Sequence, residues 1–141
     1  KDCNFNGVER IEKLHEGLKR ADCVSLHVPR TENVVIGKEE LSLLPTHAVI
    51  VNTARGGIID ENALAEAVRS SSLGAVGLDV ISTEPPDKNH PLFAFNDVII
   101  TPHSASLTEE CAERMALKSV QNIFDFFEDK LDPALVVNAI S

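Results

Sequence analysis

One run constrains this chain more than any other. Ala48-Val49-Ile50-Val51 is apolar without interruption and is followed at once by Asn52-Thr53-Ala54-Arg55-Gly56-Gly57. A short β-branched run with no polar alternation reads as a strand buried on both faces, the kind found in parallel sheets. Gly56 and Gly57 carry no Cβ, so the backbone there can take positive φ or come very close to a ligand. Asp60 is placed to cap the next helix, whose apolar stripe is Ala63, Leu64, Ala67 and Val68. An arginine therefore stands on a glycine-flanked turn at the C-terminal end of a buried strand. In open α/β sheets that edge is where ligands bind. The plainer alternative is a surface arginine beside an ordinary turn.

The rest of the chain supplies partners for that strand. Residues 1–7 read as a polar, mobile lead-in. Ile11, Leu14 and Leu18 recur at helical spacing and predict an amphipathic helix over 8–20, weakened by Gly17. Cys23 to Pro29 reads as a strand ended by its proline, with His27 in a structural role near its edge. A loop follows to Gly37, then a short helix over 38–44 limited by Pro45. Ser70-Ser71-Ser72 is a loop. Leu73 to Val80 is a third strand, with Gly74 and Gly77 allowing close packing. Pro85, Pro86 and Pro91 make 81–95 irregular. Asp97 to Thr101 is a fourth strand broken by Pro102. Ser106 or Thr108 caps a long final helix that is strongly apolar on one side. A possible short strand lies at Leu135-Val136-Val137. Strands alternating with helices imply a parallel sheet with right-handed crossovers.

Composition narrows the functions. The net charge of −9 argues against nucleic acid or an anionic membrane as the main partner. No apolar run approaches the roughly 20 residues of a membrane span, and no signal-peptide pattern opens the sequence. Cys3, Cys23 and Cys111 are scattered and form no CxxC pair. They fit incidental thiols in a reducing compartment, and hence a cytoplasmic setting with no metal site.

Three chemically distinct groups fall at strand ends: Arg55, Asp79 and His103. Glu84 follows in the loop just beyond Asp79. Strands of a parallel sheet share one C-terminal rim, so Arg55, Glu84 and His103 can converge although they are far apart in sequence. An arginine fork binds a carboxylate through two parallel hydrogen bonds, and a histidine beside a glutamate keeps a fixed tautomer. Together they suit a substrate with a carboxylate next to an alcohol or ketone. From spacing alone, this site and an unrelated surface ion pair stand equal.

Four ordered motifs go further: Ala21 to Pro29, Asn52-Thr53-Ala54-Arg55-Gly56-Gly57-Ile58-Ile59-Asp60, Gly77-Leu78-Asp79-Val80 with Glu84-Pro85, and Thr101-Pro102-His103. With them the chain resembles the D-isomer-specific 2-hydroxyacid dehydrogenase family from about Leu14 to Phe127. The resemblance implies an oxidoreductase that moves a hydride between a nicotinamide and a small D-2-hydroxy acid or 2-keto acid. It implies a Rossmann-like α/β sheet and a homodimer in the intact protein. By this likeness Arg55 binds substrate, while His103 and Glu84 form the acid/base pair. Pro29, Thr53, Ala54, Arg55, Asp79, His103 and Ala105 border NAD, with NADP an open alternative. In formate dehydrogenase relatives a glutamine replaces the pair's glutamate, so Glu84 makes formate a poor substrate. A non-catalytic NAD(H)-sensing regulator of the corepressor type is the alternative function, since such relatives can keep the same three residues.

The departures matter too. The family's Gly-x-Gly-x-x-Gly fingerprint does not occur in this sequence, and Gly56-Gly57 is not that fingerprint. Val34 stands where many relatives have a cofactor-contacting threonine. The reading is therefore of residues 1–130 as the second half of a doubly wound NAD-binding domain. Residues 131–141 form a tail returning toward a substrate domain. Half a sheet exposes apolar edges and helix faces, Phe124, Phe126 and Phe127 among them, which predicts completion by further protein or self-association. By itself such a segment is expected to be inactive.

Overall fold

The computed structural model describes residues 6–137. Its elements are α1 (Leu14–Leu18), β1 (Cys23–Leu26), α2 (Lys38–Leu43), β2 (Val49–Asn52), α3 (Glu61–Arg69), β3 (Ala75–Leu78), β4 (Val98–Ile100) and α4 (Glu109–Phe127). Short 3-10 turns occupy Pro91–Ala94 and Pro133–Leu135. The chain falls into two compact units, one ending at His103 and the other beginning at Ser104.

In the first unit the four strands form one parallel sheet in the order β1-β2-β3-β4. The pairing Leu26–Asn52–Leu78–Ile100 makes the last row of the ladder. The residues that follow this row, Pro29, Arg55, Ile81 and His103 among them, come after the carboxyl ends of the four strands. Sequence pattern alone extends β1 to Pro29 and β3 over 73–80, but both are shorter. The reason is β2, which stops at Asn52 because the chain turns there, so its neighbours have no ladder partner beyond Leu26 and Leu78.

The core explains the strands' composition. Ile36, Ile50, Ile58, Leu64 and Leu92 are completely buried. The α3 helix buries Leu64, Ala65, Ala67 and Val68, and it starts where expected. Asp60 Oδ1 accepts the N–H groups of Asn62 and Ala63, a cap worth about 1 kcal/mol. Close packing holds at Gly74, where a Cβ would meet His47 O at 2.5 Å, but at Gly77 the nearest atom is at an ordinary 3.6 Å.

Two further elements differ from the sequence pattern. The helix expected over 8–20 is a single turn and a little more, Leu14–Leu18. Of its three apolar positions only Leu18 is buried, and a short helix without a packed face does not form on propensity alone. No strand forms at 135–137; Leu135 instead ends a 3-10 turn, Pro133–Leu135, and Val136 and Val137 follow it without regular structure. Asp132 accepts the Ala134 N–H there and Pro133 presets the backbone. In α4 of the second unit, Thr108 is the cap, accepting the Cys111 N–H. Cys3 and the end of the tail lie outside the described residues. Cys23 and Cys111 are free thiols.

Candidate active site

The turn after β2 is shaped by a side chain. Asn52 is 2 % exposed. Its amide nitrogen donates to Arg55 O at 2.9 Å and its carbonyl oxygen accepts the Ala54 N–H at 3.0 Å. A buried amide must have both ends satisfied, and here satisfying them folds residues 52–55 into a tight turn. The turn leaves Thr53 and Arg55 exposed on the rim. The guanidinium donates to Ala54 O at 2.6 Å, leaving further N–H groups for an anion.

The two glycines that follow serve different ends. Gly57 adopts φ +80°, which an L side chain resists. Gly56 admits close contact, and its neighbour is protein rather than ligand. A Cβ at Gly56 would fall 1.9 Å from Ile81 O. The turn carrying Arg55 thus presses on the first residues of the loop beyond β3.

That loop carries Glu84. The Ile81 N–H donates to Glu84 Oε1 at 3.2 Å, and the other carboxylate oxygen accepts from His103 Nδ1 at 2.8 Å. An ionised carboxylate only accepts, so the hydrogen sits on Nδ1 and Nε2 is left to exchange a proton with a substrate. First the His103 imidazole and then the Ile81 N–H hold the Glu84 carboxyl below its ordinary range, against small opposing effects of burial and of Asp79. The sign of the pH dependence follows. The contact is fully present at neutral pH and is lost as acid protonates Glu84 through that lowered value. His103 itself has φ +53°, sharply turned after Pro102, a left-handed conformation held where the chain leaves β4.

Asp79, one residue past β3, is 4 % exposed and accepts from the Thr101 hydroxyl on the neighbouring strand. A cavity of about 570 Å³ opens beside these groups, and Asp79, Glu84, Thr101 and His103 all line it. Pro85, Pro86, Phe93 and Ile100 form its apolar wall. Arg55, Thr53 and Ala54 do not line it. They stand on the adjoining turn of the same rim, and Pro29 stands at the rim's far end beyond β1. Two strand spacings, about 10 Å, separate the carboxyl ends of β2 and β4, after which Arg55 and His103 follow. Ala105 is exposed in a turn that opens the second unit. His27, the first residue past β1, bonds Ser25 of that strand at 2.8 Å, so it is tied locally. No cluster of metal-ligating side chains occurs among the described residues.

Sequence reasoning passed over Asn52 and Thr101 as site residues. Asn52 had a local signal, a polar residue ending an apolar strand two positions before the residue it caps. Thr101 had none, because its partner Asp79 comes from another strand.

A parallel sheet with its polar groups gathered at the strands' carboxyl ends defines a Rossmann-type nucleotide-binding domain. Residues 1–105 match the D-isomer specific 2-hydroxyacid dehydrogenase, NAD binding domain, and the chain belongs to that family. It is 42 % identical over 125 residues to a glyoxylate reductase of Aeropyrum pernix, covering 87 % of this chain and 37 % of that protein. It is 47 % identical over 106 residues to a D-3-phosphoglycerate dehydrogenase of Methanocaldococcus jannaschii, covering 74 % of this chain and 20 % of the relative. Among solved structures, an acyclic imino acid reductase in complex with NADPH and D-Arg superposes with a TM-score of 0.83 at 30 % identity. That match covers 92 % of this chain and 41 % of the other. The chain thus spans well under half the length of these relatives.

Proposed function

We propose that the protein is an oxidoreductase that interconverts a D-2-hydroxy acid and its 2-keto acid with NAD or NADP. The observation that carries this reading is the 2.8 Å contact of His103 Nδ1 with Glu84 at the carboxyl edge of the sheet. The residues present suit a nicotinamide. The cavity, at about 570 Å³, is roomy enough for a nicotinamide ring, and Asp79 with Thr101 offers oxygen acceptors to a carboxamide N–H₂. Thr53, Ala54 and Pro29 extend along the same rim, and Ala105 follows closely on His103 in the chain. The bound nicotinamide supplies or takes up the hydride at substrate C2.

The chain's own groups do the rest. Arg55 grips the substrate carboxylate and directs C2 toward the cavity. In reduction, His103 gives the Nε2 proton to the oxygen forming on C2. In oxidation it takes that proton back. Glu84 keeps the imidazole oriented and offsets its positive charge when both nitrogens are protonated. The apolar wall of Pro85, Pro86, Phe93 and Ile100 limits water around the reacting carbon.

The same reading gives a homodimer acting in the cytoplasm. Exposed Val120, Ile123, Phe124 and Phe127 on α4 offer apolar surface for association. No helix among the described residues is long and apolar enough to cross a membrane. The relatives reported above are described as reductases and dehydrogenases, and they lend no support to a non-catalytic regulator.

Arg55→Lys tests the substrate assignment. Lysine keeps the charge but loses the planar fork. We expect KM for the 2-keto acid to rise and kcat/KM to fall about ten- to a hundredfold, the equivalent of a charge-assisted hydrogen bond. An unchanged KM would remove Arg55 from the substrate site.

A further inference from the structure

A second histidine–glutamate contact lies one helix away from the first, and the proposed reaction does not use it. Glu61 is the first residue of α3, and its side chain is only 16 % exposed. Its carboxylate gathers three donors. Oε1 accepts the Ser82 N–H at 2.6 Å, while Oε2 accepts the Ser82 hydroxyl at 2.7 Å and His90 Nε2 at 3.1 Å. His90 Nδ1 in turn faces the N–H of Leu92, which is fully buried. Facing a backbone donor, Nδ1 must be the bare nitrogen, so the hydrogen stands on Nε2 and points at Glu61. The clamp is therefore satisfied at every position and rooted in the core.

What it clamps is the peptide joining Ile81 to Ser82. The carbonyl of that peptide stands against Gly56, and its N–H ends on Glu61. One peptide unit is gripped from the Arg55 turn on one side and from α3 on the other. The preceding N–H, that of Ile81, is the one that Glu84 accepts. A rotation of the Ile81–Ser82 peptide would carry Ile81 and Glu84 with it, and Glu84 would leave His103.

We propose that Glu61 is a positioning residue for the Glu84–His103 pair, acting through Ser82 and the His90 strut. The inference rests on the reading of that pair as the acid/base centre, but its test reads Glu84 without any turnover. In Glu61→Gln the side-chain shape is kept and one acceptor becomes an N–H₂ group. That group then faces the Nε2–H of His90, two donors pointing at one another. Changing the histidine tautomer only moves the conflict to the Leu92 N–H.

The experiment is a carboxyl titration of the intact protein by NMR, with glutamate labelled at the side-chain carboxyl and Glu84 assigned through Glu84→Gln. In Glu61→Gln the Glu84 midpoint is expected to move up toward the ordinary carboxylate range. Amide exchange at Ser82 is expected to become roughly tenfold faster, as for loss of one charge-assisted hydrogen bond, while exchange at Ile50 is unchanged. A folded Glu61→Gln with Glu84 titrating as in the wild type overturns the proposal. Should that variant fail to fold, Glu61→Asp decides alone, because it keeps the charge at the start of α3 but draws the carboxylate one methylene back from the Ser82 N–H. An upward shift of Glu84 supports the clamp and an unshifted Glu84 refutes it. Either result leaves the reaction assigned to His103 standing or falling on its own turnover data.

Discussion

His103→Asn should lower turnover of a 2-keto acid by about two to four orders of magnitude, the range a positioned general acid contributes. Asparagine is the informative replacement because of the backbone. His103 sits at φ +53°, a region that asparagine tolerates better than other side chains. Its side chain is half exposed, so the substitution opens no core cavity. Stability should stay within about 0.5 kcal/mol of the wild type, as for a surface change. Asparagine cannot take up or release a proton near neutral pH, so the loss should fall on kcat. A turnover within threefold of the wild type, with the fold intact, would show that the proton moves through another group.

Gly56→Ala should be the most damaging single methyl in the chain's turn region. The added carbon would lie 1.9 Å from Ile81 O, 2.3 Å from Ile81 C and 2.8 Å from Ser82 N. All three are backbone atoms, so no side chain can swing away. Overpacking typically costs about 1–3 kcal/mol and occasionally more, and a backbone clash belongs at the top of that range. A loss of about 3 kcal/mol should appear as a lowered urea midpoint. Because the clash separates the Arg55 turn from the Glu84 loop, kcat/KM should fall further than stability alone explains. Unfolding at the wild-type midpoint would mean that the loop beyond β3 yields freely and does not fix Glu84.

These two residues also mark what could be read from the sequence. The β2–turn–α3 segment was legible because each of its signals is local. An apolar run ends, two glycines follow, and Asp60 caps the next helix within three residues. That Asp79 and His103 share one cavity follows from adjacent parallel strands, β3 and β4, which end side by side at Leu78 and Ile100, while Arg55 stands on the turn after β2 and does not line that cavity. The 8–20 helix was overread because periodicity promises a face but not a partner, and only Leu18 found one. The role of Gly56 was misjudged in kind, since its close neighbour is the Ile81 carbonyl rather than a ligand. The Glu61 contacts had no sequence signal at all. Ser82 and His90 are 21 and 29 residues away, a distance that only the folded chain closes.

Hydride delivery is the most direct measure of the central claim that this rim serves a 2-hydroxy acid dehydrogenase. A 2-keto acid such as glyoxylate or hydroxypyruvate is incubated with the active protein and NADH or NADPH carrying deuterium at both C4 positions of the nicotinamide. The 2-hydroxy product is then analysed by mass spectrometry and NMR. The account predicts one deuterium at C2 of the product, the D configuration wherever C2 is stereogenic, and its near-disappearance in His103→Asn. Unlabelled product, or no reduction of any 2-keto acid by a preparation that binds the cofactor, would contradict it.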